Sequence, residues 1–266
     1  MKKRLLLVAV VLMVVALAGS AALALAPMGL PTAGLKKGEF RVGFDYAYSE
    51  MDIKGSWSDD VITAEDYLGV KLPRKFKDTQ SNIFAANIGY GLTDDWEAFA
   101  RLGAANLKND DWEFSGDYDF LYGFGTKVTW AKQENLDWGA LFQINWLKSK
   151  ETYTYTVDDE DVDVDIKVEA YEIQIALGPT WKASDALTIY GGPFLHFLSG
   201  DVDASVAGTS LSLADIKQDS VFGGYVGAQL DIKPQPSEVT NGCYLFGELQ
   251  FTGDGWAFGT GFGYKF

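Results

Sequence analysis

The chain closes on "GWAFGTGFGYKF", Gly255 to Phe266. Trp256, Phe258, Phe262, Tyr264 and Phe266 fall on one parity, and Ala257, Gly259, Gly261, Gly263 and Lys265 on the other. A period of two belongs to an extended strand, whose side chains alternate between faces. One face of this strand is aromatic and the other is nearly bare. Water would not tolerate the first face. A packed core would not leave the second so empty.

The alternation recurs upstream and predicts ten strands. The first covers 38–49, with Phe40, Val42, Phe44, Tyr46 and Tyr48 against Arg41, Gly43 and Asp45. Others cover about 80–92, 96–106, 117–131, a segment starting at Trp138, and one ending at Trp181. The last four cover 187–198, about 219–232, 243–252 and 256–266. One face carries charges, amides, glycine and tyrosine, and the other carries apolar side chains. A secreted β-sandwich would also alternate, but two observations oppose it. Trp96, Trp130, Trp138 and Trp181 sit beside short connections, while Trp146 and Trp256 sit at the opposite strand ends. A sandwich core would place them mid-strand, whereas membrane interfaces collect amphipathic rings at two levels. The connections also alternate between long (50–79, 107–116, 199–218) and mostly short, as in a barrel with long loops on one side only.

The N-terminus reads "MKKRLLLVAVVLMVVALAGSAALALA". Lys2, Lys3 and Arg4 precede an apolar run shorter than a spanning helix, and small residues follow in two A-x-A patterns. This is the pattern of a secretory signal peptide. Cleavage is expected after Ala24, with a cut after Ala26 as the alternative because Pro27 follows it poorly. Residues 25–37 then form a short periplasmic segment, and 38–266 the barrel. No later segment has the ~20 apolar residues of a spanning helix. Cys243 is the single cysteine, so no internal disulfide framework exists. The net charge of −15 becomes more acidic still once three basic residues leave with the signal, which argues against nucleic acid as a partner.

The fold class is therefore all-β: a transmembrane antiparallel up-and-down barrel of about ten strands, with eight or twelve as alternatives and both termini periplasmic. The final strand, with its closing Phe266, resembles the terminal strand of bacterial outer-membrane barrels. The stretch "GLTDDWEAFARLG", Gly91 to Gly103, is similar to the second hairpin of small OmpA/opacity-type barrels. The resemblance implies residence in the outer membrane of a Gram-negative cell envelope, among its lipid and lipopolysaccharide. It also implies insertion by the barrel-assembly machinery, with Tyr264 and Phe266 in the insertion signal. It implies no particular activity.

Residues 138–181 predict where the membrane ends. Folding the chain at Asp159-Glu160 pairs Trp138 with Trp181 and Trp146 with Ile173, all pointing outward. Beyond Trp146 the outward residues become Lys148, Lys150 and threonines, opposite Tyr171, Glu169, Lys167 and Asp165. The inward residues become Tyr153, Tyr155 and valines. The two faces exchange polarity because the outer solvent changes from lipid to water. The hairpin is expected to project above the bilayer, with its apolar face leaning over the barrel mouth and Lys150 opposite Glu169.

Inward charges are expected at Arg41, Asp45, Glu97, Arg101, Asp119, Lys127, Glu172, Asp231, Glu248 and Lys265. In a narrow barrel they should pair, because an isolated charge away from bulk water is costly. Tyr190, Phe194, Tyr225, Tyr244 and Phe246 add bulk. Three functions follow from these features: a structural or surface-display barrel with a closed or narrow lumen, a small cation-preferring channel, and a rim enzyme using His196. The first is preferred, so no enzymatic activity, cofactor or metal is expected. The tip "DDEDVDVD", Asp158 to Asp165, lacks the glycines and spacing of a calcium loop. In loop 50–79, "TAEDYLGV" opens like a helix cap, and Trp57 and Tyr67, with Trp112 in the next loop, are candidate contacts for a surface ligand.

Overall fold

The computed structural model describes residues 25–68, 74–109, 114–157, 160–206, 209–232 and 242–266. Its wall contains β1 (Phe40–Trp57), β2 (Lys75–Thr93), β3 (Trp96–Asn109), β5 (Asp117–Lys132), β6 (Leu136–Val157) and β7 (Glu160–Lys182). The wall continues through β8 (Leu187–Val206), β10 (Phe222–Ile232), β11 (Gly242–Thr252) and β12 (Gly255–Lys265). The two-residue β4 (Phe114–Ser115) lies on β3, β9 (Thr209–Gln218) lies between β8 and β1, and α1 spans Asp59–Leu68. Neighbouring wall strands pair antiparallel, and β12 pairs with β1 from Arg41–Lys265 to Met51–Gly255. The ring of ten strands is shut. Closure removes the unpaired edge, which hydrocarbon would not tolerate.

The faces sort as the alternation predicts. Phe44, Ile88, Leu102, Phe124, Leu177, Val226, Leu249 and Phe262 are exposed on strands around the whole ring. A continuous apolar belt this wide is a surface built for lipid. Trp96, Trp130, Trp138 and Trp181 are exposed at the short-turn end. At the other end Trp146 stacks on Tyr122 at 5.2 Å and Trp256 packs against Tyr48 at 5.5 Å.

The strands at the long-loop end are longer than the periodicity suggested. β10, β11 and β12 have 11 residues each, while β6 has 22 and β7 has 23. A tilted crossing needs about 9–11, so the longer pair rises well beyond the belt. The connection expected as a loop over 199–218 is a hairpin, the top of β8 with β9. Its signal was there in Val202, Ala204 and Val206, which alternate with polar residues and are buried. β9 also pairs with the top of β1, from Ile53–Gln218 to Trp57–Ala214. One strand thus replaces β10, β11 and β12 above the belt, and the barrel narrows there.

The projecting hairpin keeps its predicted faces but not its predicted register. Trp138 pairs with Pro179 and Trp146 with Tyr171, a shift of two residues from the expected partners. A shift of two preserves parity, so every side chain stays on its face. The partners change, and Lys150 lies opposite Lys167. Lys148 instead pairs with Glu169 at 2.5 Å, and Lys150 reaches diagonally to Asp165 at 3.0 Å. Val164 and Ile166 are buried on the inner face as predicted, and Val168 is buried with them.

These residues join an apolar core in the narrowed top. Met51, Ile53, Phe76, Ile83, Leu107, Leu121 and Leu147 are almost fully buried in it. Trp57, expected as an exposed contact, is buried edge-on against Phe76 at 5.9 Å. The helix over this region starts at Asp59, before the expected Thr63, and buries Val61. Each such side chain contributes about 1.5–3 kcal/mol when removed from water. The side chain of Tyr67, all of Trp112 and the turn residues Asp158 and Asp159 lie outside the described residues, as do the signal sequence and most of the connection before β11.

Candidate functional site

Below the apolar cap the lumen is polar and filled by the chain's own N-terminal segment. Residues 25–37, expected in the periplasm, run up the inside of the barrel from the short-turn end. The chain leaves β1 at Gly38, whose amide donates to Gly91 O at 2.9 Å, and whose φ of 86° suits glycine. It climbs past Thr129, Thr180 and Glu97, then Lys127 and Glu248, and reaches Glu172 and Ser49 with Ala26 and Leu25. The sequence reason is visible afterwards. "LAPMGLPTAGL", Leu25 to Leu35, carries no charge and reads poorly as a segment bathed in water. The structure buries Leu25, Ala26, Met28, Leu30 and Leu35.

The segment has no regular structure, so its amides need other acceptors. The wall provides carboxylates. Glu248 accepts from Met28 N at 2.9 Å and Gly29 N at 2.8 Å. Glu172 accepts from Ala26 N at 3.3 Å, and Glu97 from Gly34 N at 2.9 Å. In return Pro27 O accepts from Arg101 at 3.2 Å, and Ala26 O from Gln250 at 2.9 Å.

The bare face of the final strand now has an occupant. A Cβ at Gly259 would lie 2.9 Å from the Pro27 ring, and one at Gly139 would lie 2.7 Å from Pro31 O. These two glycines leave room for the segment, while Gly261 and Gly263 leave room for the Phe246 and Tyr244 rings of β11. Beside it remains a cavity of about 50 Å³, lined by Arg41, Asp45, Arg101, Lys127 and Gln143 among others.

Most of the predicted lumen charges meet here. Arg41 pairs with Glu97, and Arg101 with Asp45 at 2.8 Å, in both cases buried. Lys265 lies 3.7 Å from the half-buried Asp231 at the short-turn end. Lys127 is buried over the Phe99 ring, 5.5 Å from its centre, beside Gly29. Asp119 stands apart at the long-loop end and accepts from its neighbour Phe120 N. His196 is fully buried rather than at a rim. Its Nε2 lies 3.2 Å from Glu172 Oε1, within ion-pair distance but not aligned as a hydrogen bond. That acid comes from the adjacent strand, where inspection of the histidine's own strand could not find it. Among the described residues no cluster of histidine, cysteine and carboxylates has metal-binding geometry.

No protein-family model matches this sequence, and no curated protein matches it. Solved outer-membrane barrels are similar at low identity. The outer membrane protease OmpT of Escherichia coli is 10% identical, with 86% of this chain aligned to 96% of that one and a TM-score of 0.48. The translocator domain of the autotransporter NalP of Neisseria meningitidis is 14% identical, over 88% and 90% of the chains, with a TM-score of 0.45. The attachment invasion locus protein Ail of Yersinia pestis is 14% identical, over 86% and 99%, with a TM-score of 0.32. Their activities do not transfer at such distance. The closed ring, the lipid-facing belt and the two aromatic levels make this chain an integral β-barrel of the outer membrane.

Proposed function

We propose that this barrel is a closed structural and surface-display element rather than an open pore. One observation carries the reading: the backbone amides of Ala26, Met28, Gly29 and Gly34 are hydrogen-bonded to Glu172, Glu248 and Glu97 along the length of the lumen. Carboxylates that accept several amide hydrogens hold a segment firmly, since charge-assisted bonds are roughly twice as strong as neutral ones. The apolar cap is a second seal at the long-loop end. The short-turn end faces the periplasm in this reading, and the cap and projecting hairpin stand outside, where they can meet lipopolysaccharide headgroups or a surface ligand. Tyr264 and Phe266 serve insertion. No enzymatic role is proposed, because the one histidine is buried beneath the cap.

The test is single-channel recording of the mature protein in a planar bilayer. A correctly inserted but silent barrel is expected. Steady cation-selective steps from the unmodified protein would replace this reading with the second one, a narrow cation-preferring channel. That alternative draws on the same three lumen carboxylates, which would line a path if the segment left.

A further inference from the structure

Three of the lumen carboxylates lie beside a lysine or arginine. Arg41 faces Glu97, Arg101 faces Asp45, and Lys265 lies near Asp231. Glu248 has no lysine or arginine at ion-pair distance among the described residues, but accepts from three donors, Met28 N, Gly29 N and Gln250 Nε2. Glu172 is as deeply buried as any of them, yet among the described residues no lysine or arginine lies within ion-pair distance of it. Its neighbours are Asn145 Nδ2 at 3.3 Å, the misaligned His196 and the amide of Ala26. A carboxylate so placed is expensive unless a counter-charge is close.

We propose that the counter-charge is the α-ammonium group of Leu25, created when the signal sequence is cut after Ala24. In that step water adds across the Ala24–Leu25 amide. Ala24 leaves as a carboxylate, and the Leu25 nitrogen takes up protons to become an ammonium. Ala26 N is 3.3 Å from Glu172 Oε1, and one residue of chain advances by about 3.8 Å, so the Leu25 nitrogen lies within roughly 7 Å of that carboxylate. Leu25 N itself lies 3.3 Å from Ser49 Oγ, a hydroxyl able to accept a second ammonium hydrogen. A cut after Ala26 would not do. It would remove the amide that Glu172 accepts from and the carbonyl that Gln250 donates to. Processing would thus complete the lumen's charge balance and fix the end of the plug.

Two measurements test this. The first is the N-terminal mass and sequence of the protein extracted from outer membranes. A chain starting at Leu25 is expected, and one starting at Pro27 or retaining the signal overturns the proposal. The second compares four refolded chains, starting at Leu25 or at two glycines added before it, each with Glu172 or with Glu172→Gln. In the Glu172 background the added glycines should lower the heat-unfolding midpoint by roughly 6 °C or more. They should lower it far less in the Glu172→Gln background. Equal losses in both backgrounds overturn the pair. Should Glu172→Gln fail to fold, amine labelling of the folded unmodified protein decides. A Leu25 amine protected until urea is added supports the proposal, and one labelled as fast as surface lysines overturns it.

Discussion

Met28 N donates to Glu248 Oε1 at 2.9 Å across 220 residues of sequence, joining the segment before the first strand to the middle of β11. Gly29 N uses the other oxygen of the same carboxylate at 2.8 Å. Glu248 is therefore as much an acceptor for the plug as a lumen charge. Removing residues 25–34 from the mature chain should leave Glu97, Glu172 and Glu248 without these partners. The truncated barrel should conduct cations in planar bilayers where the complete one is silent, and adding Glu172→Gln should weaken its cation preference.

The glycines of the inner wall make a steric prediction. Gly139→Val should drive the side chain into Pro31 and Thr32 and cost about 1–3 kcal/mol by overpacking. Gly247→Ala, on the outward face of β11, meets nothing within 4 Å and should be close to neutral. Urea unfolding of the two variants in detergent micelles, followed by tryptophan fluorescence, separates these outcomes.

The Arg41–Glu97 pair is buried on both sides. Arg41→Met should cost about 3–5 kcal/mol because it strands a carboxylate. Combining it with Glu97→Gln should recover part of that loss, as a double-mutant cycle in the same unfolding assay would read.

Trp57 anchors the cap against Phe76. Trp57→Ala should cost about 3–5 kcal/mol of local packing, without releasing the barrel from the membrane. Limited proteolysis of whole cells should then cut near α1, while the folded barrel keeps its shifted migration on unheated gels.

Outside the belt, hydrogen bonds from Lys148 and Lys167 hold Glu169 below its ordinary value of 4.5. Thr152 and Lys150 likewise hold Asp165 below 3.8. A depressed carboxylate stabilises the folded form above its unfolded pKa, and that stabilisation is lost as pH falls through the folded value. The projecting hairpin should therefore stay protected near neutral pH and loosen as the pH falls below the ordinary values of 4.5 and 3.8. Hydrogen exchange of β6 and β7 across that window checks the direction. High salt should weaken the same contacts, since they are exposed.

The division between what was legible and what was not follows the range of each interaction. Alternation in "GWAFGTGFGYKF" and its nine counterparts is a local property, set by the period of a strand and by the solvent on each face. It determined the barrel, the ten crossings, the lipid belt, the polar lumen and the polarity exchange beyond Trp146. Register in β6 and β7 was missed by two residues, because such a slip leaves every face unchanged and only turn geometry selects the partner. The plug was missed because its segment has no period. Its place rests on contacts such as Met28 with Glu248 and Ala26 with Glu172, which span 220 and 146 residues. Closure of the ring decided those contacts by enclosing carboxylates that needed donors around an uncharged segment whose amides needed acceptors.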